Sequence, residues 1–143
     1  MQVKNFNEIE LKRITKKLNL IIPAQNAKLG PPVGPVLGQV KIKVKDFCAM
    51  FNDATTKFKV GLPLPVTVCV LKNETFNFFI KTPSVSFLLK NALVYNNSKS
   101  LSLLDLYKIS LIKKLDFGHL SNEMVFKSIL IQAKILKINI IEK

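Results

Sequence analysis

A chain of 143 residues holds one ordinary domain or two small ones, and 48% hydrophobic residues are enough to build cores, which excludes disorder throughout. A formal charge of +13 and a pI near 9.9 call for a polyanionic partner, nucleic acid before anionic membrane. Membrane spanning is excluded because no segment approaches the roughly 18 to 20 apolar residues a bilayer requires; even Ile129 to Ile141 is broken by Gln132, Lys134, Lys137 and Asn139.

In chain order, residues 1–17 set Lys4, Lys12, Arg13, Lys16 and Lys17 against Glu8 and Glu10 and are expected as an N-terminal extension, a short helix or a basic arm. The same stretch lacks the apolar run of a signal peptide, so the protein is expected to act where it is made. Leu18, Leu20 and Ile22 alternate as a strand does and stop at Pro23. Gly30-Pro31-Pro32-Val33-Gly34-Pro35-Val36-Leu37-Gly38-Gln39 then concentrates three of the five glycines and three of the seven prolines. Proline fixes φ and glycine admits close backbone approach, so this is a stiff, shaped segment. It lacks the Lys-Ser/Thr of a P-loop and the glycine spacing of a dinucleotide fingerprint, which sets nucleotide binding aside.

A short helix is expected from near Pro35 to Val40. Asp46 is expected to cap a second helix with Phe47, Met50, Phe51 and Ala54 on one face. Val66, Val68 and Val70 read as a strand, and Lys72-Asn73-Glu74 turns the chain into another over Thr75 to Ile80. Thr82 as N-cap and Pro83 at the first helical position open a helix over Ser84 to Ala92. A polar loop follows to Ser100, and Ser102-x-x-Asp105 has the form of a capping box for a helix carrying Leu106, Ile109 and Ile112 or Lys113. A last helix is expected from Ser121 or Asn122 to about Leu136, burying Met124, Val125, Ile129 and Ala133. Helical spacing puts Lys127, Lys134 and Lys137 in one sector. Ile138 to Ile141 closes the chain as a short strand. The expected fold class is α+β: residues 18–81 form a small β-sheet with helices, and residues 82–143 a compact helical domain with a short strand pair. Net charge is +8 up to Lys81 and +5 beyond it, so both halves are basic.

Chemistry of its own is not expected. Cys48 and Cys69 have no second pair with which to form a zinc site, and His119 has no paired carboxylate or nucleophile around it. No enzyme, cofactor or metal is therefore expected.

Ile22-Pro23-Ala24, Pro31-Pro32-Val33-Gly34-Pro35-x-Leu37-Gly38-Gln39, Phe47-Cys48-x-x-Phe51-Asn52, Gly61-Leu62-Pro63-x-Pro65-Val66, Phe76-x-Phe78, Lys81-Thr82-Pro83 and Leu88-Leu89-Lys90 occur in that order. Together they resemble the L11 family of large-subunit ribosomal proteins. The resemblance implies a C-terminal domain that holds large-subunit rRNA in the GTPase-associated region. Lys90, Lys99, Ser100, Ser102, Lys113, Lys127, Lys134 and Lys137 stand as its rRNA-binding candidates. It implies a mobile N-terminal domain whose Pro31, Pro32 and Pro35 face translational GTPases and thiazole peptide antibiotics, a hinge at Thr82 and Pro83, and stalk-base proteins as further partners. The alternative is an RNA-binding chaperone or regulator outside the ribosome.

Several positions depart from the family. Ile131-Gln132-Ala133-Lys134-Ile135-Leu136-Lys137 stands where relatives have Gly-Thr-Ala-x-Ser-Met-Gly, and Lys99 replaces another glycine. Lys41, Lys43 and Lys45 follow Gln39 where relatives carry a glycine and an asparagine, and Ala49 replaces a lysine that many bacterial relatives methylate. Twenty-one lysines against the single Arg13, with abundant Ile, Asn and Phe and no Trp, follow AT-rich coding. That bias points to a mitochondrial ribosome, with plastid or bacterial cytoplasm as alternatives.

Overall fold

The computed structural model describes residues 14–72, 75–97 and 99–141. The charged residues of the N-terminal extension up to Arg13, the turn residues Asn73 and Glu74, and the loop residue Ser98 lie outside them. The chain divides into two compact units, one ending at Lys81 and the other beginning at Thr82. No described helix is long and apolar enough to cross a membrane.

The N-terminal unit is an antiparallel sheet of order β1-β2-β3, with β1 at Ile14–Pro23, β2 at Pro63–Leu71 and β3 at Phe76–Ile80. One face of it carries α1 (Val33–Gly38) and α2 (Val44–Ala54). The first strand starts four residues earlier than its alternation of leucines suggests, because Ile14, Lys16 and Lys17 pair with Leu71, Val70 and Cys69. Ile14 to Lys17 are thus sheet, neither helix nor free arm. Register slips between Ile14 and Lys16, leaving Thr15 as the extra residue of a bulge whose hydroxyl donates to the Val70 carbonyl at 3.0 Å.

Leu20 and Ile22 from β1 and Leu64, Val66, Val68 and Val70 from β2 meet Phe47 and Phe51 in one core. Phe47 stacks on Phe51 at 6.0 Å between centroids and meets Phe76 and Phe78 edge-on at 5.8 and 5.5 Å. Each such pair adds about 0.5–1.5 kcal/mol beyond area burial. The helical face differs from the expected one: Met50 and Ala54 are exposed, while Cys48 and Thr55 are buried. The helix begins at Val44, two residues before the site expected for its cap, so Asp46 lies inside the first turn, where its carboxylate opposes the helix's positive end.

The C-terminal unit packs α3 (Val85–Tyr95), α4 (Leu103–Lys114) and α5 (Asn122–Ile135) around Leu89, Leu101, Leu106, Ile109, Val125, Ile129 and Ala133. Met124 is exposed and is not part of this core. Two short strands, β4 (Ser100–Ser102) and β5 (Asn139–Ile141), pair in parallel. An N-terminal sheet with helices and a C-terminal helical unit with a strand pair make the fold α+β. The caps of α4 and α5 are Ser102 and Ser121, and Ser102 with Asp105 forms the full reciprocal capping box. The N-cap of α3 is Ser84, whose hydroxyl accepts from the Phe87 amide, and not Thr82. Thr82 and Pro83 are both buried and have another use.

Candidate RNA-binding and factor-facing surfaces

The proline turn is a surface held from behind. Pro31, Pro32 and Pro35 are exposed, while Val33 and Leu37, on the other side of α1, are buried in the core. The helix covers Val33–Gly38 and so starts two residues before Pro35. Pro35 still lies in the first turn, where a missing N–H leaves no intrahelical bond unmade. The Gly30 carbonyl accepts from both Val33 and Gly34 amides at 3.1 Å. Gly34 is required by space, because a Cβ there would sit 2.2 Å from the Leu29 carbonyl oxygen.

Behind the turn, three polar side chains tie residues 25–27 to the end of α2. The Asn52 amide oxygen accepts from the Ala27 N–H at 2.8 Å, and its nitrogen donates to the Ala27 carbonyl at 3.2 Å. Gln25, at φ +58°, donates through its backbone to the Thr55 hydroxyl at 2.9 Å and through its side chain to the Phe58 carbonyl at 2.7 Å. The buried Thr55 hydroxyl in turn donates to the Phe51 carbonyl at 2.8 Å. These bracing roles of Gln25, Asn52 and Thr55 carry no periodic signal in the sequence. Asn52 is visible only as the last residue of the Phe-Cys-x-x-Phe-Asn motif.

In the C-terminal unit the candidate cations separate into two groups. Lys90, Lys99, Lys127, Lys134 and Lys137 are exposed. Lys127 and Lys134, two turns apart on α5, share one outward face, and Met124, Ile131 and Ile135 are exposed along the same face. Lys137 does not continue that row. It stands beyond the C-cap Leu136 at φ +55°, with its amide bonded to the Lys134 carbonyl and that of Ile138 to the Ala133 carbonyl. Those two bonds are a Schellman closure, whose left-handed residue is ordinarily glycine. The pairing of Ser100 with Asn139 puts Lys99 and Lys137 at one end of the strand pair. Of the hydroxyl candidates, Ser102 is committed to its cap and Ser100 belongs to β4.

Lys113 departs from the phosphate-facing group altogether. It is 7% exposed, and its ammonium donates to the Asp116 carboxylate at 2.9 Å, the Thr82 hydroxyl at 2.9 Å and the Pro83 carbonyl at 3.1 Å. The Thr82 hydroxyl and amide donate to Asp116 at 2.6 and 3.1 Å. Burial pushes the Asp116 carboxyl up, but the hydrogen bonds from Thr82 and Lys113 outweigh it and hold it below the ordinary aspartate value. All three charges and hydroxyls of the knot are satisfied internally, so Lys113 has nothing left to offer a phosphate. The same knot fastens Thr82 and Pro83, the expected hinge residues, to the end of α4. Cys48 and Cys69 are free, buried side chains, and no group of acidic, histidine or cysteine residues among the described ones is arranged to hold a metal ion.

Residues 18–76, the greater part of the N-terminal unit, match the family model described as ribosomal protein L11, N-terminal domain. Over 79 residues the chain is 48% identical to the large ribosomal subunit protein uL11 of Rickettsia massiliae, covering 55% of this chain and 54% of the relative. The same protein of Rickettsia prowazekii and of Rickettsia akari is 47% identical over the same length. The chain thus spans about half the length of the curated relatives it matches. A proline turn braced by Asn52, a glycine where only glycine fits, and near half-identity over the unit that holds them agree: the N-terminal unit is similar to the N-terminal domain of the uL11 family of ribosomal proteins.

Proposed function

We propose that the chain is a structural constituent of the large ribosomal subunit. Its C-terminal unit binds large-subunit rRNA in the GTPase-associated region, and its proline turn supports the action of translational GTPases beside other stalk-base proteins. Similarity of the N-terminal unit to the uL11 family carries this reading. The distribution of charge supports it: both units are basic, and the exposed lysines Lys90, Lys99, Lys127, Lys134 and Lys137 present point charges of the kind that position a protein on phosphates. Three exposed proline rings on a braced turn lose little entropy when a factor meets them, which suits a surface contacted and released repeatedly. Flexing at the joint between the units falls just before Thr82, since the Lys113 and Asp116 knot holds Thr82 and Pro83. No catalytic step belongs to this function.

The AT-biased composition supports a mitochondrial ribosome, with a plastid or, given the bacterial origin of the matched relatives, an AT-rich bacterium as the competing sources. Expression of a tagged chain in its own cell, followed by sucrose-gradient fractionation in moderate salt, tests the proposal. Co-migration with large subunits is expected. A chain found only in light fractions or spread over bulk RNA is an RNA chaperone instead.

A further inference from the structure

Three lysines distant in sequence converge at the end of the N-terminal sheet where the core runs out. Along β1 the core-facing positions are Leu18, Leu20 and Ile22, and the same parity ends in Lys16; along β2 they are Leu64, Val66, Val68 and Val70, and Lys72 is the first residue beyond the strand. Lys41 arrives from the C-terminal end of α1, turned there by a left-handed backbone at φ +57° and a Schellman closure, with Ile42 donating to the Leu37 carbonyl and Lys41 to the Gly38 carbonyl. Lys16, Lys41 and Lys72 line one open hollow of about 230 Å³ with Thr15 and Gln39, and no carboxylate is among its described lining residues. With no opposing charge among the described lining residues, the ammonium groups repel one another unless an anion lies between them. The prolines stand at the other end of α1, so this is a different surface from the factor-facing turn.

We propose that this hollow is a second RNA contact, one that seats phosphates of an RNA backbone against the N-terminal unit. It goes beyond the function proposed above, in which the C-terminal unit carries the rRNA, although it draws on the same RNA setting. Phosphate needs only charge and donors, both of which the hollow supplies. An acidic protein segment also needs an apolar anchor, and the exposed side chains of the lining are all polar: Thr15, Lys16, Gln39, Lys41 and Lys72, whereas Val40 and Leu71 are half-buried and Val70 is buried.

The test is a salt series of full-chain binding to two transcripts: the GTPase-associated rRNA element and an unrelated structured RNA of equal length. Parent chain is compared with the triple variant Lys16→Gln, Lys41→Gly, Lys72→Gln, in which glycine at the left-handed position relieves the backbone, and with Lys127→Gln, Lys134→Gln. Each phosphate contact contributes about 0.7 to 0.9 to the log-log salt slope, so the triple variant is expected to flatten the slope by about two to three on both RNAs. Should the triple variant fail to fold, Lys72→Gln alone, at an exposed position, is expected to flatten it by about 0.7 to 0.9. Parallel salt lines for variant and parent overturn the proposal, as does a loss confined to binding of an acidic protein. If the parent does not prefer the rRNA element but the triple variant still flattens the slope, the second contact stands and the C-terminal rRNA assignment falls. If only the Lys127 and Lys134 variant loses the rRNA element, the converse holds.

Discussion

At the scale of single residues, two lysines occupy backbone positions where glycine costs least. Lys137 closes α5 with a left-handed φ, as the left-handed residue of a Schellman closure that ordinarily takes glycine. A side chain in that conformation costs about 1–2 kcal/mol, partly offset by glycine's greater unfolded entropy. Lys137→Gly is therefore expected to stabilise the C-terminal unit by roughly 0.5–1 kcal/mol while weakening RNA binding. Thermal melting and RNA titration of the same variant separate the two effects. A melting point unchanged or lowered contradicts the backbone account.

Asp116 is the other residue whose environment makes a definite demand. Its folded-state pKa lies below the unfolded value, so its stabilising contribution is complete above about 3.9 and is lost as pH falls through the depressed folded value. Lys113→Met leaves that carboxylate buried without its cation, a change that costs about 3–5 kcal/mol in comparable pairs. Denaturant melts at neutral pH and near pH 3 check both statements: the parent loses stability on acidification, and the gap between parent and variant narrows. An equal gap at both pH values contradicts the knot's ionic character.

At the scale of elements, most of the fold was legible because its signals are local. Alternating valines mark β2, and Ser102 with Asp105 marks the start of α4, since capping needs only a hydroxyl and a carboxylate three residues apart. Sequence pattern and structure part company where tertiary contacts decide. Ile14 to Lys17 carry too many polar residues to read as strand, yet an edge strand needs only the neighbour's backbone to pair with. Thr82-Pro83 has the chemistry of a helix start, but Lys113 and Asp116, some thirty residues away, bind it first and Ser84 takes the cap. Lys113 itself looks like any other surface lysine of a basic chain until α4 turns it inward. Long-range pairing of this kind leaves no pattern in a single sequence.

The proline turn and α2 act as one element through Asn52. Asn52→Ala leaves the Ala27 N–H and carbonyl without partners, at an expected cost of about 1–3 kcal/mol. Hydrogen exchange should rise at the Ala27 amide more than in β2. A uniform rise across the N-terminal unit contradicts a local bracing role.

At the scale of the whole molecule, charge and family order were evident from the sequence, but the sorting of lysines was not. A net charge of +13 does not distinguish Lys113, sealed in a knot, from Lys16, Lys41 and Lys72 around a hollow or Lys127 and Lys134 on an open helix. Ile131 and Ile135, exposed on the face that carries Lys127 and Lys134, put bulky apolar surface where small residues would allow close approach. On the account given above, binding then depends more on lysine charge and less on backbone fit. Salt sensitivity should therefore be steep.

The most direct test is binding of the full chain to the GTPase-associated element of its own large-subunit rRNA, against an unrelated structured RNA, as salt is raised. A preference for the rRNA element should persist while overall affinity falls steeply. Equal affinity for both RNAs at every salt concentration would contradict it.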